Sequence, residues 1–482
     1  MAYTLETVGK DLYIDGGWRP GADGRRIEIF DPATEQPIAS VADASAADGI
    51  AAIEAAHRAG PAWAATAPRE RAEVLRRAFD LMHRHKESLA RLITLENGKA
   101  LGEARGEVAY AAEFLRWFSE EAVRILGEIG TAPSGTNRML VIRQPVGVSL
   151  FITPWNFPAA MATRKIGPAL AAGCSVVLKP APETPLTALA MAALFTEAGV
   201  PAGVVNVIPT SRAAEVTSAM LKDLRVRKLS FTGSTRTGRI LLAQAAENVI
   251  KCSMELGGNA PFIVCEDADL DVAVASAMVA KLRNGGQSCT AANRFYAHKA
   301  VAAEFAKRFA GAMREVKVGP GLADGTELGP LIHGGARNNV TRLVDQALAG
   351  GARALSGGKA PTGKGWFYEP TVLFETRDDM PVMREEIFGP VAPIASFESE
   401  DEAIELANRT EMGLVSFIHT RDIGRGLRIS ERLEAGMVGL NRGLVSDPAA
   451  PFGGWKQSGI GREGAHEGIL EFLETKYIAT SW

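Results

Sequence analysis

An α/β fold built on parallel sheets is the class this sequence predicts, and three observations carry it. Short β-branched or apolar runs at 148–152, 175–179, 204–208 and 229–232 alternate with helical stretches at 159–172, 186–197 and 236–247. Such alternation reads as a parallel sheet covered on both faces. After Leu256-Gly257-Gly258 a second alternation begins, with strands at 261–265, 294–298 and 391–397. At 482 residues the chain is also too long for one simple core, so two large domains are expected.

The remaining elements follow in order. Residues 1–45 mix short strand runs (12–14 and 27–30) with turn signals at Asp15-Gly16-Gly17 and Asp31-Pro32. Ser45 to Asp48 resembles a capping box that opens an Ala-rich helix. Residues 69–96 and 101–126 carry apolar side chains at helical spacing, among them Leu75, Met82, Leu89 and Ile93. Residues 123–142 read as an extended excursion, and 477–480 has strand character without an obvious partner. Strand ends fall at Lys179, Pro209 and Gly233, the side of a parallel sheet where ligands bind.

Composition narrows the function classes. The chain is 46% hydrophobic and 23% charged, with net charge −3 and no basic block, which argues against nucleic acid or anionic membrane as partner. The N-terminus lacks the apolar core of a signal peptide, and no run of about 18 apolar residues predicts a membrane span. Four cysteines without CxxC spacing and seven histidines without a ligand motif predict neither a disulfide framework nor a metal site. A reducing, cytoplasmic setting is expected.

Cys289 stands in Asn284-Gly285-Gly286-Gln287-Ser288-Cys289, behind a helical run and ahead of a strand. Glycine has no Cβ, so the backbone there comes close to a bound molecule and a thiol at the bend is presented to a pocket. Upstream, Met254-Glu255-Leu256-Gly257-Gly258 sets a carboxylate beside another glycine pair. Together they suit covalent catalysis with a general base. An inert buried thiol is the alternative for Cys289; Cys174, Cys252 and Cys265 lie in apolar surroundings and read as structural.

Four further stretches suit a dinucleotide or an oxyanion. Thr232-Gly233-Ser234 closes a strand and opens a helix, where free N–H groups attract phosphate, although an unliganded turn has the same form. Lys179 ends an apolar strand, as a ribose contact or as a snorkelling lysine. Thr153-Pro154-Trp155-Asn156-Phe157-Pro158 holds an amide between prolines, aimed to donate to an oxyanion or part of an ordinary turn. Glu386-Ile387-Phe388-Gly389-Pro390 offers a carboxylate for ribose and a ring for nicotinamide, or a solvated Glu beside a core Phe.

Taken in order, PWNFP, the strand-ending Lys-Pro, FTGSTxxG, MELGG, GQSC, EIFGP and PFGGxKxSG resemble the NAD(P)-dependent aldehyde dehydrogenase superfamily over essentially the whole chain. The resemblance implies two doubly wound domains and a small β oligomerisation arm. It sets residues 1–122 and 143–254 as the dinucleotide-binding domain and 255–452 as the catalytic domain. The arm and C-terminal segment are then 123–142 and 453–482. It implies Cys289 as nucleophile, Glu255 as general base and Asn156 with the Cys289 N–H as oxyanion donors. Lys179, Gly233, Ser234, Glu386, Phe388, Trp155, Thr153 and Pro182 become the cofactor site for NAD or NADP. Glu255 favours hydrolysis over transfer to coenzyme A.

Within the superfamily the chain is similar to succinate-semialdehyde dehydrogenases. Arg164, Arg283 and Ser446 match the residues that hold the substrate's distal carboxylate there, and an Arg fork suits that task. Succinate semialdehyde is therefore the expected substrate. Glutarate or 2-oxoglutarate semialdehyde or an aromatic aldehyde are alternatives, and a non-catalytic binding or structural protein on the same fold is a remoter one. Ala291 stands where many members carry a second cysteine, so no disulfide switch is expected. Pro182 stands where NAD-selective relatives often carry Glu, so NADP is expected to be accepted. Arg442 replaces the usual acidic or small residue near the substrate mouth. A homodimer or homotetramer is expected.

Overall fold

The first sheet has eight strands, and its centre is parallel. Val205–Val207, Val176–Lys179, Val148–Ile152, Val226–Thr232 and Lys251–Glu255 lie side by side in that order. Leu12–Ile14 and Gly459–Ile460 close its edges antiparallel, with Gly17–Arg19 outside the former. Side chains of the central strand divide between faces: Val148, Leu150 and Ile152 join one core and Phe151 the other. Each face needs its own cover, which is why helices alternate with strands along the sequence. The structure, a computed structural model, describes residues 3–481; Met1, Ala2 and Trp482 at the ends of the expected ranges lie outside it.

The second sheet has seven strands: Arg353–Ser356, Thr371–Phe374, Val391–Phe397, Ala292–His298, Ala260–Val264, Val415–His419 and Met437–Leu440. All pairs are parallel except the first. Phe262 and Val264 face one core and Ile263 the other. The mixed α/β class with parallel-sheet domains is thus as expected.

Three local readings need correction. The helical stretch 69–96 is two helices, Pro68–Arg84 and Lys86–Asn97, broken at His85, whose φ of −99° and ψ of 13° leave the helical region without a Gly or Pro to signal it. The second stretch is helical only to Glu121 and ends in a 3-10 turn at Ala122–Arg124. The terminal strand does have a partner: Leu473–Thr480 pairs antiparallel with Arg138–Pro145, which pairs in turn with Glu128–Thr131. That middle strand runs beyond residue 142, and Gly459–Ile460 returns to the first sheet rather than to this one.

Helix ends are where the sequence was most literal. Ser45 Oγ accepts from the Asp48 N–H (3.3 Å) and Asp48 Oδ2 from the Ser45 N–H (2.9 Å), the reciprocal cap expected. Helix Pro158–Ala172 starts with Pro at its first position and stops at Gly173, whose φ of 96° is accessible to glycine without strain. Among the described residues no helix is long and apolar enough to cross a membrane, and no cluster of three His, Cys, Asp or Glu side chains could hold a metal.

Candidate active site

Loops from both sheets meet at a cleft of about 270 Å³ whose wall includes Cys289, Asn156, Trp155 and Phe388. Gly233, Ser234 and Glu386 line it too. Cys289 is only partly buried and faces this space. Its loop leaves helix Leu270–Leu282 through Asn284, Gly285 and Gly286, all at positive φ (53°, 63° and 75°). A Cβ on Gly286 would lie 2.1 Å from the Gly389 carbonyl oxygen, so this loop and the Phe388 loop can touch only because residue 286 has no side chain. A Cβ on Gly258 would meet the Cys289 carbonyl oxygen at 2.4 Å, which brings the Glu255 loop equally close.

Asn156 follows strand Val148–Ile152 and is buried. Its Nδ2 donates to the Gln287 carbonyl at 3.2 Å, and its Oδ1 has no partner. One amide N–H is therefore left over. The Cys289 backbone N–H has no acceptor among the described residues. Glu255 ends strand Lys251–Glu255, in register with Thr232, and its Oε2 is buried without a partner.

Electrostatics pull these groups toward their neutral forms. Burial pushes the Cys289 thiol up to about 12; Arg164 opposes that rise, Glu386 and Glu255 add to it, and Arg283 opposes it. Burial raises Glu255 well above the usual carboxylate range, and Glu463 adds to the rise against Arg164, Lys165 and Arg462. Burial favours the protonated form of both, so Glu255 can take a proton from the thiol or from water only once its own has left.

The residues expected to hold a dinucleotide carry unused polar groups. Helix Thr235–Ala246 opens at Ser234, whose Oγ caps the Thr237 N–H (3.3 Å), and its N-terminal turn points its remaining N–H groups outward. Lys179 is buried, yet its ammonium makes no hydrogen bond or ion pair among the described residues; burial lowers it to about 8. Burial raises Glu386 to about 7, against the Gly258 N–H (3.2 Å) and Lys281. An under-used ammonium and an under-used carboxylate suit a diol that both donates and accepts. Phe388 stands at φ 51°, strained for a non-glycine residue, with its ring edge-on to Trp155 at 5.4 Å.

Other expected residues lie elsewhere. Thr153 is buried at the end of its strand, and its N–H donates to the Lys179 carbonyl (3.2 Å). Pro182 lines a separate hollow with Phe30 and Trp366. Ser446 lines a 550 Å³ surface hollow together with Arg442 and Phe452. Arg164 is buried with its Nε 2.7 Å from Glu463 Oε2, over the Phe452 ring at 4.0 Å; the contact is poorly aligned and leaves Nη2 without an acceptor. Arg283 has no carboxylate within ion-pair distance among the described residues and lies over the Phe157 (4.7 Å) and Tyr110 (5.5 Å) rings.

Sequence reasoning missed the groups beneath the cleft. Asn97, Glu103 and Glu107, on the helices Lys86–Asn97 and Leu101–Glu121, and Lys99, in the loop between them, reach the Asn156 and Cys289 loops. In the sequence Lys99, Glu103 and Glu107 read only as spaced charges of a solvated surface, and Asn97 as a helix end. Ser458, inside the noted PFGGxKxSG stretch, donates to the Gly257 carbonyl (2.7 Å) and accepts at its own carbonyl from Leu256 (2.8 Å).

Residues 18–478 match the Aldehyde dehydrogenase family. The chain is 55% identical over 441 residues to a succinate-semialdehyde dehydrogenase of Paenarthrobacter nicotinovorans, covering 92% of this chain and 98% of that one. It is 50% identical over 472 residues to a glutarate-semialdehyde dehydrogenase of Pseudomonas putida, covering 98% of each. The crystal structure of a succinate-semialdehyde dehydrogenase from Burkholderia pseudomallei superposes with a TM-score of 0.98 at 48% identity over the full length of both chains. The chain belongs to the aldehyde dehydrogenase family. It is an NAD(P)-dependent oxidoreductase acting on an aldehyde.

Proposed function

We propose that this enzyme oxidises a short ω-carboxylated aldehyde, succinate semialdehyde, to its acid by hydrolysis of a Cys289 thioester. One observation carries the substrate class: Arg283, six residues before Cys289, is a guanidinium with no carboxylate within ion-pair distance among the described residues, set over two aromatic rings. An unpaired, half-buried Arg is what a substrate carboxylate would complete. Arg164 adds positive charge nearby although Glu463 already engages it, and Ser446 belongs to the same proposal.

Glu255, once ionised, takes the Cys289 proton as the sulfur attacks the aldehyde carbon. The resulting oxyanion accepts from the spare Asn156 Nδ2–H and the Cys289 N–H. NAD(P), when bound, would supply the hydride acceptor that oxidation to a Cys289 thioester requires. Lys179 and Glu386 would hold its ribose, Gly233 and Ser234 its phosphate, and Phe388, Trp155, Thr153 and Pro182 would complete its surroundings. Glu255 passes the Cys289 proton to solvent and then takes one from water, which attacks the thioester carbonyl; the Cys289 sulfur leaves, recovers a proton from Glu255, and the acid is released. Pro182 puts no negative charge against a 2′-phosphate, so NADP is accepted.

The division into 1–122 with 143–254, 255–452, and 123–142 with 453–482 belongs to the same reading. Exposed Leu126, Ile129 and Tyr477 around the three-stranded sheet suit a homodimer or homotetramer, and four free thiols suit the cytoplasm. Glutarate semialdehyde is the second reading, favoured by the Pseudomonas putida relative. Steady-state kinetics with succinate semialdehyde, glutarate semialdehyde and propanal decide among them. Succinate semialdehyde should give the highest kcat/KM, and Arg283→Ala should lower it by about 10- to 100-fold while sparing propanal. Equal efficiency for propanal in the wild type would remove the carboxylate anchor.

A further inference from the structure

Lys99 is a costly residue to find where it is. Its side chain is 0% exposed and that of its partner Glu107 1%. Well-packed apolar residues usually fill such a place at equal or better stability. Lys99 Nζ donates to Glu107 Oε2 (2.6 Å) and to the backbone carbonyl of Asn156 (2.7 Å), and it lies over the Phe157 ring at 4.1 Å. Glu107 Oε1 accepts from the Ala159 N–H (2.9 Å), in the first turn of helix Pro158–Ala172. One ion pair therefore grips the Asn156 carbonyl and the start of the helix that follows it.

The same small region also holds the nucleophile loop. Glu103 Oε1 accepts from the Asn284 N–H (2.7 Å), and Asn284 Nδ2 donates to the Asn156 carbonyl (2.8 Å). Asn97 Nδ2 donates to the Trp155 carbonyl (3.0 Å). The Asn156 carbonyl thus accepts one bond from Lys99 and one from the loop that leads to Cys289. The Asn156 side chain meets that loop again at Gln287.

We propose that Lys99 is a positioning residue: with Glu107 it sets the height of Asn156 against Cys289, so that the spare amide N–H meets the oxyanion as it forms. This rests on the reading of Asn156 as oxyanion donor. An error of an ångström at such a donor costs roughly 100-fold in rate.

The test compares Lys99→Met, Lys99→Arg and Asn156→Ala in the full-length enzyme with succinate semialdehyde and NADP. Three quantities are read: the thermal midpoint, NADP affinity and the rapid-mixing burst of NADPH. Lys99→Met leaves Glu107 buried without its cation, so its midpoint should fall, while below that midpoint its NADP affinity and aldehyde KM stay within about twofold and its burst slows roughly 100-fold. A folded, NADP-binding Lys99→Met with a wild-type burst overturns the proposal. Should that variant not fold, Lys99→Arg keeps the charge but is too long for a site this closed. Its burst should fall at least about tenfold, and a wild-type burst again overturns the proposal. Asn156→Ala separates the two readings. If it is slow and Lys99→Met is not, positioning alone fails; if Asn156→Ala is itself fast, the oxyanion reading fails and takes the proposal with it.

Discussion

At neutral pH the Cys289 sulfur keeps its proton, because burial opposes the thiolate more strongly than Arg164 and Arg283 favour it. Iodoacetamide should therefore label Cys289 slowly in the free enzyme, at a rate that climbs with pH across the neutral range; a pH-independent rate would mean a resting thiolate. Glu255→Gln should still give a burst of NAD(P)H, then turn over at least about 10²-fold more slowly than wild type, and a normal steady-state rate would remove Glu255 as the base for water. Glu386, raised to about 7 by burial, is charged above that pH and neutral below it. If Glu386 holds the ribose as proposed, the charged form is the better acceptor for its hydroxyls, so cofactor affinity should weaken between about pH 8 and about pH 6, and Glu386→Gln should flatten that profile. Cys289, Glu255 and Asn156 stood out in the sequence because each lies close to glycines or prolines. Lys99 and Glu107 did not, since a buried ion pair and a solvated one are the same two letters in a sequence.

Between elements, closeness is bought with missing side chains. Gly258 lets the Glu255 loop lie against the Cys289 carbonyl, and a methyl group there would sit 2.4 Å from that oxygen. Gly258→Ala should displace the nucleophile loop and lower kcat/KM by at least about 100-fold, with a smaller effect on cofactor binding; near-normal kcat/KM would show that the loops are free to part. Parallel strands at 148–152, 175–179 and 229–232 were readable because β-branched and apolar runs alternated with helices. The strand Lys251–Glu255 was not, because Lys251, Ser253 and Glu255 interrupt its apolar pattern. Lys251 Nζ instead reaches the Leu473 carbonyl (2.8 Å) and the Ser253 hydroxyl reaches Glu471 (2.7 Å), partners far along the chain that no local pattern announces.

Over the whole molecule the C-terminal segment is woven back into the centre. Ser458 holds the Glu255 loop, Glu463 meets Arg164 and Lys165, and Glu471 pairs with the buried Lys228 at 2.9 Å. Ending the chain after Leu470 should leave Lys228 without its carboxylate and the strand Arg138–Pro145 without one neighbour. The expected result is a lower thermal midpoint and aggregation in size-exclusion chromatography; an unchanged midpoint would show the segment to be dispensable. Fold class was readable because it depends on periodicity, whereas this closure depends on residues that meet only after folding.

The pairing of Leu473–Thr480 with Arg138–Pro145 also sets an order of events during synthesis. A ribosome releases the earlier of these strands long before the later one exists, so one side of it waits unpaired while most of the polypeptide is still being made. Its completion waits until residues 473–480 have been made, and a chain stopped before them would leave one edge of Arg138–Pro145 open.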